Sequence, residues 1–126
     1  MNFRLNMSYE EAVELSTNSW CSQSLDKMLK FDQLSIARKK VEFCKKYNEM
    51  PIEFKPTFKF DKRSDNYDTS KKMRVPSWTD RILWYHREKY IVPISYESKD
   101  NRFSDHRPVL GIFKILAHEH VEEMKE

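Results

Sequence analysis

The stretch Pro76–Leu83, which reads PSWTDRIL, says more about the fold than any other part of this sequence. It sets an acidic residue, Asp80, directly before a basic one, Arg81, and strand-forming residues follow. The proline at its start restricts φ and stiffens the local backbone. Reactive polar groups held at the end of a strand on a rigid sheet are what a catalytic site requires. The stretch therefore predicts a site that is built on a sheet.

A second stretch, Ser104–Val109 or SDHRPV, repeats this arrangement, with Asp105 beside His106 and strand-forming residues behind them. Adjacent side chains on an extended strand face opposite ways, so Asp105 and His106 can address one site only at a strand end or a turn. Pro108 is consistent with such a turn. The plainer alternatives are a surface Asp–His pair without function and, for Trp78 in the first stretch, packing in the core, which we favour for the indole.

Length and composition are those of one folded domain. The chain has 126 residues, of which 39% are hydrophobic and 34% are charged, and this is enough for one modest core. Its two cysteines are too few for a small secreted disulfide scaffold, so we expect reduced thiols, no disulfide bond and a cytoplasmic location. We find no charged-then-apolar leader and no apolar stretch of about 18 residues, so neither a signal peptide nor a membrane span is predicted.

The net charge of +3 is unevenly distributed along the chain. Residues 55–74 hold seven basic and three acidic side chains and so carry +4, whereas residues 1–54 are neutral and residues 75–126 carry −1. A local excess of cations predicts an anionic partner, such as phosphate groups, nucleic acid or a lipid headgroup. The alternative is a solvated loop that binds nothing.

The first half of the chain has helical periodicity. Ser8 with Glu11 fits a capping box at the start of a first helix, and a second helix is expected over about residues 20–30. Asp32 is the expected N-cap of a third helix over residues 33–46, in which apolar residues recur every three or four positions. This apolar stripe is interpreted as a packing face and consists of Leu34, Ala37, Val41 and Cys44.

The second half has the pattern of strands. A strand entry interrupted by a proline is expected near residues 54–60, and further strands are expected over residues 81–85, 90–96 and 109–116. Pro93 places the second of these three at an edge or a bulge, and the last is predicted to be buried. The end of the chain is predicted to be a charged, frayed helix.

Taken together, these stretches resemble the signatures of the inositol polyphosphate 5-phosphatases. Pro76–Leu83 is similar to that family's Pro-x-Trp-x-Asp-Arg-Ile-Leu motif, and Ser104–Val109 is similar to its Ser-Asp-His-x-Pro-Val motif. Residues 64–70, which read SDNYDTS, resemble the segment that precedes the first motif. The resemblance covers nearly the whole chain, from residue 2 to about residue 115.

The resemblance implies an α/β fold, specifically the C-terminal half of a DNase I-like four-layer β-sandwich flanked by helices. It implies a partial catalytic domain over residues 1–116 and a charged tail over residues 117–126. The implied activity is hydrolysis of the 5-phosphate of inositol phosphates or phosphoinositide lipids, with Mg²⁺ as cofactor and water as nucleophile. The implied partners are inositol phosphates or lipid headgroups, with peripheral contact at membranes.

Breaking a phosphate ester requires compensation of charge on the phosphoryl oxygens and an activated water in line. By the resemblance, His106 would contact the phosphate that is removed. Asp105 would sit in the network of the metal and the histidine as a metal ligand, and Asp80 would belong to the hydrogen-bond network of the site. Arg81 would help to hold the strand end and the phosphate region.

The basic segment is implied to bind a second phosphate. In the family, a Tyr-Lys pair and a Lys-x-Arg element grip the 4-phosphate beside the one removed, and here Lys59, Lys72 and Arg74 match their cations. Phe58 replaces the tyrosine, so one hydroxyl donor is missing. We expect the grip on the 4-phosphate to be weakened but not lost.

Near the N-terminus, residues 2–4 resemble the end of the family's Gly-Asp-x-Asn-Tyr/Phe-Arg element. Asn2 is therefore a catalytic candidate and Arg4 a phosphate-binding candidate. The aspartate of that element, which is expected to activate the attacking water, would precede Met1, as would the main metal ligands. We expect this polypeptide alone to have little or no phosphatase activity and to leave an apolar sheet face uncovered.

Several interpretations stay open from the sequence alone. The chain is a truncated gene model, a real fragment or a decayed copy of such a phosphatase. Its function is phosphatase activity, or binding of phosphoinositides without catalysis, or nuclease activity within the same superfamily. The octapeptide Pro76–Leu83 argues against the nuclease, so no nucleic acid is expected as a partner.

Overall fold

The computed structural model describes residues 3–85 and 90–116. Within that part of the chain, four short helices precede two strands. The helices are α1 (Tyr9–Ser16), α2 (Ser22–Leu29), α3 (Gln33–Lys40) and α4 (Glu42–Lys45), and the strands are β1 (Ile91–Ser98) and β2 (Val109–Ile115). No helix among the described residues is long and apolar enough to span a bilayer. The tail predicted for residues 117–126 lies outside the described residues.

The first three helices begin where the sequence predicts. The backbone N–H of Glu11 donates to the Ser8 hydroxyl at 3.2 Å, which confirms Ser8 as the N-cap of α1. The Ser35 N–H donates to the Asp32 carboxylate at 3.0 Å, so Asp32 caps α3 as predicted. The thiol of Cys21 caps α2, and both cysteines are free.

The third helix is shorter than predicted, because Val41 interrupts it. Val41 has extended φ and ψ of −98° and 119°, and α4 starts immediately after it. A β-branched side chain has a lower helix propensity, and Val41 is 48% exposed, so burial does not compensate for that preference. The prediction of one helix over residues 33–46 is therefore wrong, and its apolar stripe is buried only at its start, where Leu34 is 2% exposed.

The strand predicted over residues 81–85 is also absent from the described structure. Trp84 forms a single antiparallel bridge with Asn48, in which each N–H donates to the other's carbonyl, at 2.7 and 2.9 Å. A strand requires a partner segment of similar length, and the chain around Asn48 supplies only this one bridge. Residues 54–60 likewise form bridges rather than a continuous strand.

The two strands form an antiparallel hairpin with a register shift between Pro93 and Ser95, which confirms the bulge predicted at this proline. Burial alternates along β2, so the prediction that this strand is wholly buried is wrong. Leu110 and Ile112 are 40% and 44% exposed on its outer face. One apolar side of the hairpin is therefore uncovered, as the sequence predicts.

The core is centred on Trp78, which is fully buried and donates its indole N–H to the Phe54 carbonyl at 2.9 Å. This confirms that the indole is a packing residue. The single glycine of the chain, Gly111, lies against the same core, and a Cβ at this position would be 3.0 Å from a methyl group of Ile82. The helices and the hairpin thus pack around the first sequence stretch.

Candidate active site

One segment of the chain joins the two sequence stretches. Phe58 forms antiparallel bridges with Ser77 on one side and with His106 on the other. The Ser77 N–H donates to the Phe58 carbonyl at 2.8 Å, and the Phe60 N–H donates to the Asp105 carbonyl at 2.8 Å. Residues 57–60 therefore hold the Pro76–Leu83 and Ser104–Val109 stretches side by side.

This pairing brings Asp80 and His106 into direct contact. The imidazole Nδ1 lies 2.5 Å from an Asp80 carboxylate oxygen, and the Thr79 hydroxyl lies 3.5 Å from the same nitrogen. The His106 side chain is 36% exposed and the Asp80 side chain 48%, so both are open to a ligand. We name this pair, with Thr79 and Asp105, the Asp80–His106 edge.

Asp105 reaches the same edge because the chain bends before His106. The Ser104 hydroxyl accepts from the His106 N–H and donates to the Asp105 carboxylate, both at 3.2 Å. One carboxylate oxygen of Asp105 then lies 3.9 Å from the imidazole Nε2. The local turn expected from the sequence is therefore present, and it lets two adjacent side chains address one place.

The side chain of Arg81 is buried beside this edge, where its ion pairs fit the predicted role of holding the strand end. The role of Arg81 in the phosphate region stays a prediction. Its side chain is 3% exposed and donates to Asp32 at 2.7 Å and to both carboxylate oxygens of Glu49 at 2.7 Å. Burial works against the charge of Arg81, but the bonds to Glu49 and Asp32 outweigh it and raise its pKa. Four of the five N–H donors of this buried guanidinium are engaged by Asp32, Glu49 and the Trp78 carbonyl.

One of the two buried carboxylates, that of Glu49, also accepts a hydrogen bond from the hairpin. The Tyr96 hydroxyl donates to Glu49 at 2.6 Å, and burial, followed by this bond, raises the pKa of Tyr96. We name Arg81, Asp32, Glu49 and Tyr96 the buried cluster. It ties the start of α3, the chain after α4 and strand β1 to the end of the first stretch.

Arg4 is placed near His106 by an aromatic ring. The Phe58 ring packs on the imidazole with the two centroids 4.6 Å apart, and the Arg4 guanidinium lies 4.8 Å from the same Phe58 ring. The Leu5 N–H donates to the Ser77 hydroxyl at 3.1 Å, which anchors this part of the chain to the first stretch. Asn2, the other candidate from the N-terminal element, lies outside the described residues.

The predicted 4-phosphate ligands are organised by Asp68, which the sequence marks only as a turn residue able to form local hydrogen bonds. We name residues 59–74 the basic loop. The Asp68 side chain accepts from the N–H groups of Ser70 and Arg74, each at 2.9 Å, and its own N–H donates to the Lys59 carbonyl at 2.8 Å. Burial opposes the charge of Asp68, but the bonds from Ser70 and Arg74 and the nearby Lys59 prevail and lower its pKa to about 2.

One buried carboxylate therefore joins the Lys59 end of the loop to the Arg74 end. The Lys72 N–H bonds to the Ser70 hydroxyl at 3.3 Å, so Lys72 is part of the same structure. Lys72 and Arg74 are exposed, and in the described part of the chain neither cationic group has an ion-pair partner. A signal was present in the sequence, because Asp68 lies inside the resembling segment of residues 64–70.

Arg107 is a residue that sequence reasoning missed. Its side chain is 7% exposed, and it donates to the Ser64 carbonyl at 2.6 Å and to Asp65 at 3.2 Å. The guanidinium also lies 3.8 Å from the centroid of the Phe60 ring. Arg107 thereby fixes the basic loop to the stretch that carries His106.

The described residues do not by themselves make a metal site. No group of three or more His, Cys, Asp or Glu side chains suited to a metal ion is found in residues 3–85 and 90–116. Asp80 is engaged by His106, and Asp105, the predicted metal ligand, can supply one carboxylate. Coordination of a divalent cation requires six or more oxygen donors, including water.

Comparison with known proteins fits this geometry. Residues 1–112 match the model of the Endonuclease/Exonuclease/phosphatase family 2, and the chain belongs to this family. Among curated relatives, it is 41% identical over 113 residues to inositol-1,4,5-trisphosphate 5-phosphatase 1 of Schizosaccharomyces pombe and 38% identical over 116 residues to synaptojanin of Caenorhabditis elegans. Each match covers 90% of this chain but 10% of the relative.

Solved structures give the same fold. The inositol polyphosphate 5-phosphatase domain of SPsynaptojanin, solved in complex with inositol (1,4)-bisphosphate and a calcium ion, superimposes with a TM-score of 0.76 at 35% identity. That match covers 97% of this chain and 35% of the solved one. The predicted fold class is therefore confirmed, and the chain corresponds to about a third of the solved phosphatase domain.

A second solved structure shows that this fold does not fix the function. A Cimex nitrophorin mutant, solved as a ferrous NO complex, has a TM-score of 0.77 at 34% identity and covers 91% of this chain and 39% of its own. A fold hosts different functions through the side chains of its sites. The function is therefore to be inferred from the side chains of the Asp80–His106 edge and the basic loop.

Proposed function

We propose that this chain forms the phosphate-binding part of an active site that hydrolyses the 5-phosphate of inositol phosphates or phosphoinositides. The observation that carries the proposal is the contact between Asp80 and His106, which joins the two signatures at one exposed edge. The cations Lys59, Lys72 and Arg74 lie within or after residues 57–60, which are the segment that holds this edge together. A cytoplasmic location with peripheral contact at membranes belongs to the same proposal.

The geometry of the edge suits stabilisation of a phosphoryl group. With Nδ1 of His106 bonded to Asp80, Nε2 is the ring nitrogen left to face a ligand. When the ring carries both protons, Nε2–H donates to a phosphoryl oxygen, and its positive charge opposes the negative charge that develops there. Asp80 fixes the orientation of the ring, in the way that an acid partner orients a catalytic histidine.

The basic loop would bind the neighbouring phosphate through Lys59, Lys72 and Arg74. Their backbones are joined through Asp68, so the loop is ordered before a ligand arrives, which lowers the entropy cost of binding. Arg4 would add a further cation near the imidazole. Phe58 offers an aromatic surface but no hydroxyl donor at this place.

Mg²⁺ is part of the proposal, with Asp105 as a ligand. When bound, such an ion polarises the phosphoryl oxygens and activates water. The described residues do not complete its coordination sphere, so catalysis would need ligands beyond them. This same finding favours a second candidate function for the chain as printed, which is the binding of phosphoinositides without hydrolysis.

The test measures phosphate release from inositol 1,4,5-trisphosphate in the presence of Mg²⁺. The printed chain is compared with a fusion in which it replaces the matching third of the SPsynaptojanin domain. We expect release by the fusion, its loss in the fusion carrying His106→Gln, and little or none by the chain alone. An inactive, folded fusion would contradict the proposal of catalysis, and nicking of plasmid DNA by the fusion would favour a nuclease.

A further inference from the structure

A groove lined by residues of α2, α3 and α4 lies outside the proposed active site. Its volume is about 690 Å³, which is in the range of small-ligand sites. No lining residue belongs to the Asp80–His106 edge or to the basic loop. We name this cavity the helix groove. Its charged lining residues are Asp26, Lys30, Arg38, Lys39 and Lys45.

The helix groove concentrates positive charge. Four of its lining side chains are cations and only Asp26 is an anion, so the groove carries an excess of three positive charges. A cation near the end of a helix stabilises the helix dipole, which accounts for each of these residues singly. It does not account for their convergence on one concave surface. A cleft lined by charges of one sign attracts ions of the opposite sign.

The chain itself does little to neutralise this charge. Among residues 3–85 and 90–116, neither Lys30 nor Lys39 has an ion-pair partner. Lys45 pairs with Glu42 at 3.1 Å, but the Glu42 side chain is 89% exposed, and such surface pairs contribute little free energy. The repulsion between the gathered cations is therefore left for an external anion to relieve.

Arg38 provides an anchored guanidinium in the helix groove. Its Nη2 donates to the Tyr47 carbonyl at 3.1 Å, and its Nη1 lies 3.7 Å from a Glu49 carboxylate oxygen. Its Nε is buried and has no hydrogen-bond partner among the described residues. The side chain is 29% exposed, so it is held in place but still reaches the groove. A guanidinium that is already ordered loses less entropy when it binds phosphate oxygens, which its planar fork matches.

We propose that the helix groove is a second anion site, which binds a soluble compound with several phosphate groups through Lys30, Arg38 and Lys39. A singly charged anion would leave most of the excess charge unmatched, whereas linked phosphates meet several cations at once. The concave shape favours a small molecule over a flat membrane surface. Because the groove shares no residue with the proposed active site, its ligand binds whether or not the chain takes part in catalysis.

The experiment titrates tripolyphosphate into the purified chain by calorimetry. Every sample carries Lys59→Gln and Lys72→Gln, which remove two cations of the basic loop and so suppress anion binding there. We expect this background chain to bind tripolyphosphate, with an affinity that falls as the salt concentration rises. Adding Lys30→Gln and Lys39→Gln should weaken the binding about tenfold, because charge-assisted hydrogen bonds to phosphate are lost. Circular dichroism checks that each variant is folded.

The matched control adds Lys27→Gln and Lys40→Gln to the same background. Lys27 lies in α2 and Lys40 in α3, neither lines the groove, and their replacement changes the net charge equally. The control should bind tripolyphosphate as the background chain does. Equal losses in the two double variants would overturn the inference, because net charge alone would then explain the binding.

Three other results would also overturn it. These are a background chain that does not bind tripolyphosphate, unchanged binding after Lys30 and Lys39 are replaced, and sedimentation with vesicles of phosphatidylinositol 4,5-bisphosphate without binding of tripolyphosphate. The last result would assign the groove to a membrane surface. None of these results bears on the proposed function, because Lys59 and Lys72 are absent from every sample.

Discussion

Asp80 and Arg81 are adjacent in the sequence but belong to two different regions of the molecule. Asp80 is half exposed at the edge that carries His106, whereas Arg81 is buried between Asp32 and Glu49. The two side chains diverge from consecutive positions, so one residue reaches solvent and the next reaches the interior. A single signature therefore contains one residue that faces a ligand and one that holds the chain together.

The two regions differ in what stabilises them. The buried cluster has two carboxylates, a guanidinium and a hydroxyl, and loss of the Arg81 guanidinium leaves the Asp32 carboxylate buried without a cation. The Asp80–His106 edge is exposed to solvent, so water can replace the hydrogen bonds of a side chain that is removed. Mutations in the first region should change folding, and mutations in the second should change binding with little effect on folding.

The largest effect is expected from Arg81→Ala. This variant leaves Asp32 buried without its cation and Glu49 with only Arg38 at 3.7 Å, and breaking such a buried pair costs about 3–5 kcal/mol. We expect loss of the cooperative unfolding transition or a sharply lower urea midpoint, measured by circular dichroism. Arg81→Lys keeps the charge but not the forked geometry, so it should recover only part of the stability. A stable Arg81→Ala chain would remove the distinction between the two regions.

At the Asp80–His106 edge, His106→Gln should weaken ligand binding and leave stability nearly unchanged. The urea midpoint should stay close to that of the unmodified chain, because exposed substitutions cost within about 0.5 kcal/mol. The affinity for inositol 1,4,5-trisphosphate should fall about tenfold, since a charge-assisted hydrogen bond to its 5-phosphate is lost. Calorimetric titration and urea unfolding on the same sample test both statements. An affinity that does not change would separate His106 from the ligand.

Asp68 shares a feature with each region, because it is buried and it also orders the exposed side chains that are proposed to bind phosphate. Its pKa falls from 3.8 to about 2 on folding, which corresponds to about 2 kcal/mol of stability. Since the folded-state pKa is the lower one, this contribution is complete above pH 4 and is lost as the pH falls toward 2. We expect Asp68→Asn to unfold at lower urea than the unmodified chain at pH 7.

The lowered pKa of Asp68 also predicts how the difference in unfolding free energy between the two chains depends on pH. The gap in unfolding free energy between the unmodified chain and Asp68→Asn should shrink as the pH falls from 4 to 2, because Asp68 becomes protonated, first in the unfolded chain and then in the folded one. Asp61→Asn is the control, since this carboxylate binds Thr69 in the same loop but is not buried. A gap that is constant with pH would mean that the charge of Asp68 does not stabilise the loop.

Sequence reasoning succeeded where the determinants are local. The N-caps Ser8 and Asp32 act within one turn of helix, and the bulge at Pro93 follows from its missing N–H. The pairing of Asp80 with His106 spans 26 positions, and it followed from the family resemblance and not from any local pattern. The predicted end of the third helix was wrong because no tertiary contact buries Val41, so its own backbone preference decides where α3 ends.

The role of Arg81 could not be read from its neighbourhood. Its partners lie 49 and 32 positions away, and nothing in the spacing of Asp32 or Glu49 marks them as ligands of a buried guanidinium. Arg107 was missed, because a hydrogen bond from a side chain to a backbone carbonyl 43 positions away leaves no periodic signal. In each case the fold decides the role after the signature has supplied the residue.

The smallest effect is expected where this chain departs from the family at Phe58. Its ring contacts the His106 imidazole and is 9% exposed, so Phe58→Tyr adds only a hydroxyl beside the edge. One further hydrogen bond to a phosphate oxygen should raise the affinity for inositol 1,4-bisphosphate about fivefold. Calorimetry should show a smaller gain for inositol 1-phosphate, which lacks the 4-phosphate. Equal gains for both ligands would mean that the hydroxyl acts on His106, and the edge would then set both orientation and specificity.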